Sequence, residues 1–494
     1  MTQSHDYLAI DLGAESGRAM LGGFDGQRLR LSEAHRFPNV PVRLPGGLHW
    51  DVLRLWTDIK QGLSLASRKS ASPLASIGLD TWGVDFGLLD QRGTLLGDPF
   101  HYRDARTDGA VEAAFRKMSR TEIFNLTGIQ FMSLNTLYQL YSMVVSQSPA
   151  LEVATTFLMM PDLFNYWLTG EKVVEFSIAT TSQCYDPRQC DWADPLLAAL
   201  GIPRRIFPAV VQPGTILGAL LPVVSEETGA GALPVIAPAC HDTGSAVAAV
   251  PAKSDDFAWM SSGTWSIMGA EVREPIITAA SLKYNFTNEG GVAGTYRFSR
   301  NIAGLWLVQE CRRTWAAQGD ELSYAALTER AQEAAPLVSL VDPDYAEFGK
   351  PGDMPARIRD YCRRTGQSVP ESRAAIVRCA LESLACKYRW VLEKLEEMVG
   401  RRLEPLHIVG GGTQNHLLCQ FAADGTGHRV VAGPVEATAL GNILMQALAL
   451  RHIGSLAEGR QIIGDSFDQV TYLPKDTAAW DAAYSRFVAR LEEH

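Results

Sequence analysis

A chain of 494 residues is too long for one hydrophobic core, so two large domains are expected. Its 46% hydrophobic and 20% charged residues are those of an ordinary globular protein. A formal net charge of -10 excludes a sequence-independent nucleic-acid binder, which needs clustered Lys and Arg to displace counterions.

The start "MTQSHDYLAIDLG" passes from a short polar lead straight into a strand. It carries no basic segment followed by an apolar one, so a cytoplasmic protein without a signal peptide is expected. "YLAIDLG" (7–13) reads as a buried strand, "RAMLGGF" (18–24) as a second after a glycine turn, and Asp25-Gly26 as a hairpin turn into a third, "RLRLSEAHRF". Apolar residues at 52, 53, 55, 56, 59 and 63 predict a helix over 50–68. "ASIGLDTWGVDFGLLD" (75–90) then gives two strands around a polar-aromatic interruption. Three strands, a helix and a strand open the ribonuclease-H-like unit on which actin-type ATPases are built. "LPVIAPAC" (233–240) reads as another strand, ending where "HDTGSAVAAV" begins a helix.

The second half repeats that opening. "FAWMSSGTWSIMGAEV" (257–272) is again strand, Gly/Ser/Thr turn and strand. A long helix over 372–400 leads into "LHIVGGGTQN" (406–415), the short strand "HRVVAG" and a helix from 435. The run "ATALGNILMQALAL" (437–450) is too short to span a bilayer and reads as buried helix. Two related α/β halves, divided at 247/248, predict a nucleotide held in an interdomain cleft. The eight cysteines include no C-x-x-C pair and read as buried free thiols.

Phosphate chemistry has to use turns other than a P-loop, because no G-x-x-x-x-G-K-[ST] occurs. In "DLGAESGR" (11–18), Gly13 and Gly17 allow inward-facing backbone N–H groups, Asp11 reads as a Mg²⁺ ligand through water, and Arg18 as a phosphate partner. The same stretch also reads as a plain hairpin, and the Glu15 carboxylate is expected to face outward. "SSGTWS" (261–266) offers the Thr264 hydroxyl. "GGGT" (410–413) offers bare backbone for an adenine or ribose, with Asn415 behind it as a helix cap. "GLDTWGVDFG" and "YRDART" supply Trp82, Gly83 and Arg103 for a sugar face, although Trp82 reads equally as core and Arg103 with Asp104 as a surface ion pair. Asp242 reads as a helix N-cap, and a capping carboxylate is also held ionised and aimed, as a base must be.

These motifs, with "TGIQFMSLNTLYQL", "MPDLFNYWLTG", "NEGG", "NIAGLWLVQE" and "AGPVEATALGNI", follow in order the pattern of the FGGY family of carbohydrate kinases, which the chain resembles along nearly its whole length. Within that family "DTWGVDF" and "GIQFMSLNTLYQL" resemble the branch acting on L-rhamnulose. The resemblance implies an actin-like two-domain fold and transfer of the γ-phosphoryl group of ATP, with Mg²⁺, to the sugar 1-hydroxyl, in a monomer or homodimer. It implies Asp242 as catalytic base. It implies Ala14, Glu15, Ser16, Gly17, Arg18, Thr264, Gln309 and Gly411 at ATP, and Gly83, His241, Thr243 and Asn301 at the sugar. Glu15 departs from the small residue usual there. A kinase for L-fuculose or L-xylulose, or a non-catalytic actin-like sensor, is the competing expectation.

Overall fold

The computed structural model describes residues 4–492. By packing, the chain forms two α/β units. One comprises residues up to Lys253, Glu271–Phe298 and Ala437–Ser466; the other comprises Ser254–Ala270, Ser299–Glu436 and the residues from Phe467 on. The chain therefore returns twice to the first unit after leaving it.

In the first unit six strands lie in the order Thr215–Ala219, Pro234–Ala237, Leu74–Thr81, His5–Leu12, Ser16–Phe24, Leu29–Pro38. The last three form an antiparallel meander, as the hairpin turns in the sequence predict, and Leu74–Thr81 runs parallel to His5–Leu12. Leu8, Ala9, Ile10 and Leu12 are fully buried, which explains the continuous apolar run of a strand covered on both faces. Asp25 closes the second hairpin by accepting from the Gln27 and Arg28 amides, with Gly26 at φ 92°.

Helix Val52–Lys69 starts where the Asp51 side chain accepts from the Arg54 amide. It buries Val52, Leu55, Ile59, Leu63 and Ala66 against the sheet, and a Cβ on Gly62 would stand 2.7 Å from that of Ala19. The expected apolar stripe is too wide by one residue: Leu53 is 63% exposed, since a helical turn places it on the far side from Leu55 and Ile59. The returning helix Ala437–Ala449 packs in this unit, where Gln446 donates to the Leu8 carbonyl and accepts from Ser76 Oγ. Polar side chains inside so apolar a helix are thus satisfied by the sheet beneath it.

A second sheet has strands in the order Thr287–Gly290, Tyr296–Ala303, Trp265–Val272, Ala258–Ser262, Leu406–Val409, Val430–Ala432, Val470–Tyr472. Ala258–Ser262 is antiparallel to Trp265–Val272 and parallel to Leu406–Val409. Helix Arg373–Val399, capped by Ser372 and closed by Gly400 at φ 77°, matches the predicted span and buries Ile376, Leu384, Tyr388 and Leu395. No described helix is long and apolar enough to cross a membrane. All eight cysteines are free; seven are buried, and only Cys190 is exposed.

Candidate active site

Thr81, the last residue of strand Leu74–Thr81, bridges His241 in parallel register, and the Thr81 amide donates to the Cys240 carbonyl at 2.9 Å. That pairing brings "DTWGV" beside "CHDTG" although about 160 residues separate them. A Cβ on Gly83 would meet His241 Nε2 at 3.4 Å and the Thr181 side chain at 3.3 Å, so Gly83, His241 and Asp242 share one corner. Val84 takes φ 69°, a strained value for a β-branched residue. Thr181 Oγ1 accepts its N–H at 3.2 Å, and Thr136 Oγ1 donates to its carbonyl at 2.5 Å. Two threonine side chains therefore hold this conformation beside Gly83.

Helix Asp242–Ala248 begins at Asp242, and the capping position is His241, without a side-chain bond. The N-cap reading of Asp242 is therefore corrected by one residue. Its Oδ1 instead accepts from the Thr243 amide at 2.5 Å and the Thr243 hydroxyl at 3.1 Å, and faces His241 Nε2 at 3.4 Å. The side chain is 31% exposed, so a ligand can reach it. Glu175 fastens the preceding residues from below: its Oε2 accepts from the Cys240 amide, and Ser177 Oγ accepts from that of His241.

Asp11 and Asp80 are register partners on adjacent parallel strands. Asp80 is fully buried; Asn442 donates to its Oδ2 at 2.6 Å, and Oδ1 has no hydrogen-bond partner. Burial, then the charges of Asp11 and Asp242, push the Asp80 carboxyl well above the usual carboxylate range. Sequence reasoning passed over Asp80, although a carboxylate ending an apolar strand was the available signal. Arg18 pairs with Asp11 Oδ2 at 2.5 Å.

The glycines of the first turn do other work than expected. Neither Gly13 nor Gly17 takes a positive φ, and a Cβ on Gly17 would overlap the Phe37 ring of the neighbouring strand. The turn is closed by the Gly13 amide donating to Ser16 O and by Asn39 Nδ2 donating to Gly13 O, each at 2.9 Å. Ala14 and Ser16 are half-buried, and Glu15 is exposed, facing outward as expected.

Trp82 is core: it is 6% exposed and packs on Trp50, with ring centroids 4.2 Å apart. Both indole N–H groups donate to Asp85 Oδ2, and Gln139 donates to Oδ1. Burial pushes Asp85 up to about 6 despite those bonds. Arg103 is exposed and lies over the Tyr102 ring, while Asp104 accepts from the Leu48 and Arg106 amides.

In the second unit, the Thr264 carbonyl accepts from the Trp306 amide at 3.1 Å, and Gly304 gives the room, since its Cβ would meet Trp265 C at 2.6 Å. Gln309 lies half-buried on helix Trp306–Ala317, and Asn301 half-buried on strand Tyr296–Ala303. Of the glycines at 410–412, Gly410 takes φ 87° and Gly412 leaves room for Ser262, whereas a Cβ on Gly411 meets nothing within 4 Å. Asn415 caps helix His416–Thr426 by accepting from the Leu418 amide. Among the described residues no group of three or more His, Cys, Asp or Glu is arranged to hold a metal. Magnesium needs no such cage, since phosphate and water supply most of its ligands.

The two α/β units have the actin-like fold. The models of the FGGY family of carbohydrate kinases match here, the N-terminal domain over residues 6–249 and the C-terminal domain over 258–450, and the chain belongs to that family. It is 48% identical over 482 residues to a rhamnulokinase of Bacteroides thetaiotaomicron, covering 98% of each chain. It is 41% identical over 465 residues to one of Oceanobacillus iheyensis, covering 94% of this chain and 97% of that one. Among solved structures, a gluconate kinase of Lactobacillus acidophilus aligns with TM-score 0.83 at 15% identity over 99% of this chain and 98% of that one. A Plasmodium falciparum glycerol kinase with ADP aligns with TM-score 0.80 at 15% identity over 98% of each.

Proposed function

We propose that this enzyme transfers the γ-phosphoryl group of ATP to the 1-hydroxyl of L-rhamnulose, giving L-rhamnulose 1-phosphate and ADP. The observation that carries the reading is 48% identity to a rhamnulokinase across 98% of both chains. Asp242 is the base. The Thr243 contacts and the His241 ring converge on its Oδ1, which leaves Oδ2 to take the proton of the attacking hydroxyl. Gly83 keeps the space beside His241 clear for the sugar, and Thr243, Asn301 and Arg103 are further sugar contacts.

Residues 14–18, Thr264, Gln309 and Gly411 are the proposed nucleotide contacts. Gly411 is the one glycine of its turn with open space at its Cα, which suits a flat base against bare backbone. Asp11 would hold Mg²⁺ through water. The buried Asp80 Oδ1, without a hydrogen-bond partner on the strand beside Asp11, fits a cation there. When bound, the ion neutralises phosphate charge. Phosphoryl transfer otherwise asks this chain for positioning.

The test is ADP release measured with L-rhamnulose, L-fuculose, L-xylulose, D-xylulose and glycerol. L-rhamnulose should give the highest kcat/KM. Turnover with another sugar and none with L-rhamnulose would overturn the substrate. No sugar-dependent release at all would point to a sensor.

A further inference from the structure

His241 stands between Asp242 and a buried ion pair. Its Nδ1 lies 2.9 Å from Arg297 Nη2 and 3.2 Å from Glu289 Oε2, and those two atoms are 3.1 Å apart. On the other edge, Nε2 faces Asp242 Oδ1 at 3.4 Å and the space over Gly83. Glu289 and Arg297 come from the neighbouring strands Thr287–Gly290 and Tyr296–Ala303, and Arg297 Nε also donates to the Gly290 carbonyl at 2.9 Å. The Arg297 side chain is 0% exposed and that of Glu289 12%.

The chemistry of the three groups decides where the imidazole proton sits. A guanidinium only donates, and it keeps its proton at any working pH. Nδ1 faces the Arg297 donor at 2.9 Å more closely than the Glu289 acceptor at 3.2 Å, and Nε2 faces only the acceptor Asp242 Oδ1, so a neutral ring with its lone pair on Nδ1 and its hydrogen on Nε2 satisfies both edges. An imidazolium would set two N–H groups against each other at that distance. Glu289 is the counter-charge without which a fully buried guanidinium is costly. Burial raises its carboxyl, but the Arg297 guanidinium is the largest opposing influence, and the carboxyl stays below the usual range.

We propose that Glu289 and Arg297 form a positioning pair that fixes His241 as its Nε2–H tautomer, aiming a hydrogen-bond donor at Asp242 and at the sugar oxygen over Gly83. His241 is then a donor and cannot compete with Asp242 for the hydroxyl proton. The sugar part rests on the proposed function; the tautomer does not.

The experiment is ring-nitrogen NMR of the ¹⁵N-histidine-labelled, unliganded protein, with His241 assigned by the His241→Gln spectrum. The wild type should show neutral His241 protonated on Nε2, and a proton on Nδ1 or on both nitrogens would overturn the proposal. In Arg297→Met the ring has only Glu289 at Nδ1, so the proton should move there. The kcat should then fall about 10- to 100-fold, the size usual when a residue orienting a functional imidazole from behind is lost. Arg297→Lys keeps a donor and should restore the Nε2–H signature and most of kcat. A folded Arg297→Met with unchanged tautomer and kcat would also overturn the assignment. Failure of L-rhamnulose as substrate would leave the NMR result standing, and a wrong tautomer would leave the sugar assay unaffected.

Discussion

Gly17, in the turn at 11–18, and Gly411, in the turn at 410–413, look interchangeable in sequence, yet a Cβ on the first would overlap Phe37 while one on the second meets nothing within 4 Å. One glycine is required by the protein's own packing; the other leaves a surface for something else to occupy. The segment Cys240–Thr243 shows a third solution. It is held by side chains, with Glu175 and Ser177 under its amides and Glu289 and Arg297 behind its histidine. A glycine-rich motif therefore indicates close approach without saying whether the approaching group is a ligand or a ring.

The largest effect should come from the side-chain-held segment. Asp242→Asn preserves shape and the contacts with Thr243 but removes the proton acceptor, so kcat should fall by about 10²- to 10⁴-fold with nucleotide binding intact. Near-normal turnover would mean that the base lies elsewhere. The glycine comparison comes next. Gly17→Ala forces a methyl into the Phe37 ring and should destabilise by about 1–3 kcal/mol in urea unfolding. Gly411→Ala should leave unfolding unchanged and raise the KM for ATP alone. If Gly17→Ala were as stable as wild type, or Gly411→Ala left the KM for ATP untouched, the contrast between the two turns would fail.

Much of the fold was legible because strands and helices write their burial into periodicity: the meander at 5–38, the helix Arg373–Val399 and the Asn415 cap all follow from local patterns. The site was legible only where a motif is contiguous. His241 and Asp242 are adjacent, but Asn442 reaches Asp80 across 362 residues, and Glu289 meets His241 from a separate strand. No local pattern encodes such meetings. The Asp242 cap was misplaced for a related reason: whether a helix starts at 241 or 242 depends on the bridge between Thr81 and His241, which belongs to the sheet. Trp82 was ambiguous because its partner Trp50 lies in the segment before the first helix.

The smallest effect tests how the side-chain-held segment responds to protonation. Glu175 is fully buried and accepts from the Ser177 amide at 2.8 Å, Ser177 Oγ at 2.5 Å, the Ile178 amide at 3.2 Å and the Cys240 amide at 3.0 Å. Burial raises its carboxyl from the ordinary 4.5 to about 7, against the pull of those four donors. Asp162 beside it is raised as well, by burial first and then by the Glu175 charge. Between the ordinary value and about 7 the folded state holds a proton that the unfolded chain has released, so Glu175 costs stability progressively as pH rises through that window and no further above it. Glu175→Gln cannot titrate. Its amide also meets donors on every side, so it should be the less stable protein at each pH. The stability gap between wild type and variant, from urea unfolding, should narrow as pH climbs to about 7 and then hold constant. A gap flat across the whole window would mean that the four donors keep Glu175 ionised throughout, making the support of Cys240 and His241 independent of pH.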